Sequence, residues 1–127
     1  MNNFSTMVVL LAALSLSACA QMGADKKTPE IQSRIDAGST NYVNCMKAYA
    51  AKYAAATDSA TILAEGAGVE CGYLLDGVAA DMGELVGMKY MSKSYQSKLI
   101  AEQLEALEKT ARAQVIDTVV KARIGEF

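Results

Sequence analysis

Chemistry in this sequence rests on cysteines, carboxylates and tyrosines, because the chain has no histidine and no tryptophan. That excludes Ser-His-Asp and Cys-His catalysis, His-ligated haem and any zinc site that needs imidazole. Three cysteines are present: Cys19, Cys45 and Cys71. Between Lys52 and Lys89 there is no basic residue but there are six acids: Asp58, Glu65, Glu70, Asp76, Asp81 and Glu84. One reading is a cation site, yet the spacing differs from a calcium loop, which sets ligands at alternate positions around a glycine. A second is a surface for a basic partner, carried by Glu65, Glu70, Asp76 and Asp81. A third is a solvated helix face, neutralised in part by Lys47, Lys52 and the basic last helix. Tyr42, Tyr49 and Tyr53 share one helical face, and Tyr73, Tyr90 and Tyr95 cluster further on. Such rings are either core with the hydroxyl at its rim or the wall of a ligand groove. No phosphate-binding glycine loop, nucleophile elbow or metal cluster is expected.

The elements that must position these groups are helical. At 127 residues, 52% hydrophobic and 20% charged, the chain suits one packed domain and not a disordered or fibrous one. Pro29 is the only proline, so long helices are free to run after it, and no run of alternating β-branched residues marks a strand. The apolar period predicts three helical segments. The first covers about 29–56, starting at a Thr28 cap with Pro29 in the first turn, on the stripe Ile31, Ile35, Tyr42, Met46, Tyr49, Tyr53. Gly38-Ser39-Thr40 interrupts it. The second follows the turn Thr57-Asp58-Ser59 on the stripe Ala60, Leu63, Ala67, Cys71, Leu74, Val78, Met82, Leu85. The third covers about 92–124 on the stripe Ile100, Leu104, Leu107, Ala111, Val115, Thr118, Ala122. Glu105–Lys109, Glu108–Arg112 and Asp117–Lys121 support it as acid-before-base pairs four apart, and Lys121 and Arg123 suit its C-terminal end.

Six glycines crowd the second segment, each costing about 1 kcal/mol in a helix interior relative to alanine. Either the helix breaks near Gly77, running to about Asp76 and restarting to about Met88, or these glycines let a neighbour pack closely. The expected fold is an all-α antiparallel bundle of three long helices, with four pieces if that break occurs.

In this hairpin Cys45 lies 13 residues before Asp58 and Cys71 lies 13 after it. At about 1.5 Å rise per residue the two reach the same height, on or beside the inward stripe. They read as a disulfide that staples the bundle. The alternatives are two buried thiols or a redox pair, though a catalytic dithiol usually takes the form Cys-X-X-Cys, which is absent.

The run Met7–Leu16 is apolar and uncharged. It is too short for a spanning helix, which needs about 20 apolar residues, and fits the apolar stretch of a secretory signal. It ends in Leu16-Ser17-Ala18-Cys19. This resembles the lipobox of bacterial lipoproteins. The resemblance implies that residues 1–18 are a signal peptide and that Cys19 carries diacylglycerol on sulfur and an acyl chain such as palmitate on its new amino group. Gly23, Asp25, Lys26 and Lys27 then make a short polar stretch, so residues 19–28 read as a lipidated tether ahead of the helical domain over 29–127. The covalent lipid would be the only attached group, with no other cofactor. Ala20, where Asp would favour the inner membrane, implies the outer one. The resemblance covers only the first 20 residues or so and says nothing of the fold behind them. The other readings are an ordinary cleaved signal and a buried N-terminal helix.

Three functions are open. The first is a small non-enzymatic envelope lipoprotein: a binding or structural module, facing the periplasm, with an unknown envelope protein as partner. The second is a membrane-anchored inhibitor or immunity-type protein that neutralises a basic periplasmic hydrolase or toxin. The third is an enzyme working with carboxylates alone. The first is preferred, because no acid sits in a setting that would shift its pKa. A net charge of −2 makes no case for nucleic acid. Self-association through the heptad-like last helix is left open.

Overall fold

The structure, a computed structural model, describes residues 27–125. The signal segment, Cys19 and most of the tether lie outside these residues. The chain divides into two compact units, Met1–Glu30 and Ile31–Phe127. Of the first, only the four residues Lys27–Glu30 are described, and they are helical. The second holds the body treated below.

The described residues form four helices: α1 (Lys27–Tyr53), α2 (Ala60–Cys71), α3 (Tyr73–Lys89) and α4 (Lys93–Ile124). Two of them start on serine caps. Ser59 Oγ accepts from the Ile62 amide at 3.2 Å and Ser92 Oγ from the Tyr95 amide at 3.3 Å, each satisfying a donor that the first helical turn leaves open. α4 ends at Gly125, whose φ of 76° is the left-handed conformation that glycine enters without a Cβ clash.

Three expectations are corrected. Lys27 and Thr28 are already helical, so Thr28 does not cap α1 and Pro29 lies further along the helix. The Gly38-Ser39-Thr40 stretch does not interrupt α1. Instead Gly38 admits α3: a Cβ there would sit 2.9 Å from Val78 Cγ2. The second segment breaks at Gly72, not near Gly77, so the architecture is four helices rather than three long ones. Gly72 keeps right-handed dihedrals (φ −58°, ψ −29°), but the backbone pinches: a Cβ there would stand 2.9 Å from the Gly68 carbonyl oxygen. The Leu75 amide then bonds to the Gly72 carbonyl at 3.0 Å, a three-residue step that restarts the helix.

The core is narrow and rich in small residues. Tyr42, Met46 and Ala50 of α1 pack with Leu63, Ala64, Ala67 and Cys71 of α2 and with Ala111, Val115 and Val119 of α4. A second cluster joins Ile31 and Ile35 to Val78, flanked by Met82, Leu85 and Leu104. The alanines let helix axes approach closely, which tightens dispersion contacts among the larger side chains.

Candidate functional site

Cys71 is buried and Cys45 half-buried, and the two form a disulfide with a Cα–Cα distance of 5.9 Å. That distance lies within the span a disulfide bridges without moving the backbone. The bond ties the middle of α1 to the end of α2, as the spacing about Asp58 predicts.

The four acids read as a partner surface divide into two kinds. Glu70 and Asp76 are exposed and form no ion pair among the described residues. Glu65 is exposed and stands 3.9 Å from Arg112 of α4, and Asp81 is half-buried under Arg34 of α1. The Arg34 guanidinium forks across α3, with Nε donating to Asp81 Oδ1 at 3.1 Å and Nη2 to Glu84 Oε2 at 2.7 Å. The acidic run is thus partly neutralised from within, by Arg34 and Arg112 rather than by Lys47 and Lys52. Lys52 instead lies 5.3 Å from the centre of the Tyr53 ring, a cation–π contact. Of the three acid–base pairs expected along α4, Asp117–Lys121 closes at 3.0 Å, whereas Arg112 turns to Glu65.

A groove of about 380 Å³ opens beside the Glu65–Arg112 pair. Tyr42, Gly68, Val69, Gly72, Leu75 and Glu108 also line it. Burial raises the Tyr42 pKa, the negative charge of Glu108 adds to the rise, and Arg112 opposes it. The phenol is therefore a hydrogen-bond donor at neutral pH and not a base. With Arg112 and two carboxylates at its rim, the groove can hold a small polar group of either sign. Compared with family models, with curated proteins and with solved structures, the chain matches none. Any function therefore has to be argued from this geometry. Among the described residues, no group of three or more Cys, Asp or Glu is placed to hold a metal ion, and no helix is long and apolar enough to cross a membrane.

The tyrosines separate in part as expected, but Tyr73 stands at the start of α3, a 17-residue helix away from the Tyr90–Tyr95 pair it was grouped with. Tyr42 is core, the Tyr49 and Tyr53 rings meet at 4.5 Å, tilted by 46°, and Tyr73 is exposed. Tyr90 and Tyr95 meet at 5.1 Å in the α3–α4 turn. A second groove of about 310 Å³ begins there. Ile35, Met82, Leu85, Val86, Leu99 and Ile100 give it an apolar lining, with Gln32, Lys89, Tyr90 and Gln103 at polar positions.

Two residues matter more than their sequence context indicates. Arg34 lies 47 and 50 positions from the acids it grips. Arg123, expected to serve its own helix end, reaches across the body. Its Nε donates to the Ala54 carbonyl at 3.0 Å, and its Nη2 to those of Ala56 at 2.9 Å and of Asp58. Ala54 and Ala56 follow the end of α1, so Arg123 ties the α1–α2 turn to the end of α4. The only sequence signal for this was an arginine near a helix terminus.

Proposed function

We propose that this protein is a small non-enzymatic lipoprotein of the bacterial envelope. Acyl chains on Cys19 hold it in the outer membrane, and its helical bundle faces the periplasm and acts by contact with another envelope protein. The observation that carries this reading is the Cys45–Cys71 bond. Disulfides persist in oxidising compartments, and small exported domains use them to supplement a modest core. A chain with Leu16-Ser17-Ala18-Cys19 behind an apolar run would be delivered to such a compartment. Two or three acyl chains, at about 0.8 kcal/mol per buried methylene, anchor stably.

The contact surface in this reading is the acidic run, with Glu70 and Asp76 as its uncompensated charges and Glu65 and Asp81 as compensated ones. An acidic surface favours a basic partner. That supports a second reading, an anchored inhibitor or immunity-type protein acting on a basic hydrolase or toxin.

Mass spectrometry of the mature N-terminus tests the anchor. The expected result is a chain that begins at a diacylglycerol-modified Cys19, and an unmodified Cys19 refutes it. Pull-downs from envelope extracts test the contact. Glu70→Lys with Asp76→Lys should weaken capture of the partner at unchanged helicity, through slower and more salt-sensitive association. Capture indifferent to both reversals refutes the surface, and a turnover activity lost on replacing one carboxylate refutes the contact mechanism. Inhibition of a captured basic hydrolase selects the second reading.

A further inference from the structure

The turn between α3 and α4 is firmly built yet holds apolar side chains in solvent. The Tyr90 amide bonds to the Val86 carbonyl at 3.0 Å, the Gln96 side chain donates to the Tyr90 carbonyl, and Ser92 caps α4. The Tyr90 and Tyr95 rings meet edge to face. On this scaffold Met91 is 99% exposed, and Met88, Tyr90 and Tyr95 are 44%, 40% and 46% exposed. A turn fixed this well has no need of methionine at its tip, so the exposed group calls for something to cover it.

The charges around it name the cover. Lys89, Lys93 and Lys98 are all exposed, and residues 86–101 contain no acid. This is a basic island in a chain of net charge −2, directly after its most acidic stretch. An apolar tip, two tyrosines and a ring of lysines match a negatively charged phospholipid surface. Lysines pair with phosphates, tyrosines settle at headgroup depth, and methionine enters the acyl boundary. The route to the lipid agrees. Gln32 and Ile35 of α1 line the apolar groove with Lys89 and Tyr90, so the early part of α1 lies at this end of the body. Gln32 lies 13 positions after Cys19. Even a fully extended chain of that length spans no more than about 45 Å, so a lipid on Cys19 would leave this end within reach of the bilayer.

We propose that the α3–α4 turn is a second membrane contact, which seats Met91 and Tyr90 at the headgroup level of an anionic phospholipid surface and so sets how the domain stands on the membrane. The inference rests on the lipid anchor proposed above.

The absence of tryptophan supplies the test. Met91→Trp creates a single fluorescent reporter at the tip, Tyr90→Trp a conservative second one, and Val69→Trp a control on α2 at a position 86% exposed. Each full chain, purified from membranes, is reconstituted into phosphatidylethanolamine–phosphatidylglycerol vesicles with plain or brominated acyl chains. Emission from both turn reporters should shift to shorter wavelength and be lost with brominated chains, while the Val69→Trp control does neither. Adding Lys89→Glu, Lys93→Glu and Lys98→Glu should abolish the loss. Equal emission in plain and brominated vesicles overturns the proposal. So does a concentration-dependent blue shift without vesicles, which would assign the turn to a second copy of the chain. The intact mass of the same sample separates the two readings. Quenching with an unmodified Cys19 keeps the contact and removes the anchor, and a lipidated Cys19 without quenching removes the contact alone.

Discussion

Burial sets the chemistry of Tyr42 more than any neighbour does. Its pKa is raised from 10.0 first by burial and then by Glu108, with Arg112 opposing. Below pH 10.0 folded and unfolded chains both keep the phenol proton, so its titration does not affect stability. Above it the unfolded chain ionises first and binds fewer protons, so stability falls from about pH 10 up to the folded pKa. Urea unfolding at pH 9 and pH 11 should show this fall in the wild type and a smaller one in Tyr42→Phe. The disulfide belongs to the same scale. Its separation of 26 residues corresponds to about 3.5 kcal/mol in the chain-entropy description. Cys45→Ala with Cys71→Ala should lower stability by that amount or somewhat less, measured by urea unfolding as a lower midpoint with a steeper slope, because the uncrosslinked unfolded chain exposes more surface. The pairing was legible in sequence because it needs only the helical rise and one turn position. The Arg34 fork was not, because no local pattern says that α1 and α3 meet at that height.

Helix interruptions are a matter of packing as much as of propensity. Each glycine of the second segment costs its helix a similar amount, so propensity alone had no means of choosing among them. Gly72 is singled out by tertiary facts: it follows the disulfide-bonded Cys71, and its backbone pinches against the Gly68 carbonyl. Gly77 lies inside α3, where an added Cβ would meet nothing within 4 Å. Gly77→Ala should therefore stabilise the fold by about 0.5–1 kcal/mol, through helix propensity and a less free unfolded chain. Gly72→Ala should destabilise it, since its Cβ would stand 2.9 Å from a backbone oxygen. Thermal unfolding of the two variants side by side checks the opposite signs. Helix existence and most of the buried stripe were legible from period, and the turn from the cap-forming residues Thr57, Asp58 and Ser59, although α1 ends earlier, at Tyr53. At the end of α4 the stripe drifts, burying Val119 where Thr118 was expected, because each inward position is chosen by its neighbours across the core.

Across the whole molecule charge is sorted rather than balanced. The acids of residues 58–84 precede a stretch, 86–101, with three lysines and no acid. A net charge of −2 hides this division, so composition excluded function classes without locating surfaces. Closure of the body depends on a long-range bond set as well. Arg123 reaches carbonyls 65 to 69 positions earlier in the chain. Arg123→Ala should cost about 1–2 kcal/mol and expose the α1–α2 turn to hydrogen exchange. Arg123→Lys should recover only part, since an ammonium cannot reproduce the planar fork.

That bond set also imposes an order of assembly. Ribosomes deliver the chain from its N-terminus, so residues 45 and 71 are both available well before residue 123. Once both cysteines have been exported, the hairpin of α1 and α2 can be cross-linked before α4 has docked, but the carbonyls beyond α1 wait for an arginine near the end of the last helix. Until it arrives the hairpin is tied in its middle and open at its turn. An exported chain truncated before residue 123 should therefore be oxidised yet cut by protease at residues 54–58, and the chain that includes Arg123 should resist that cleavage.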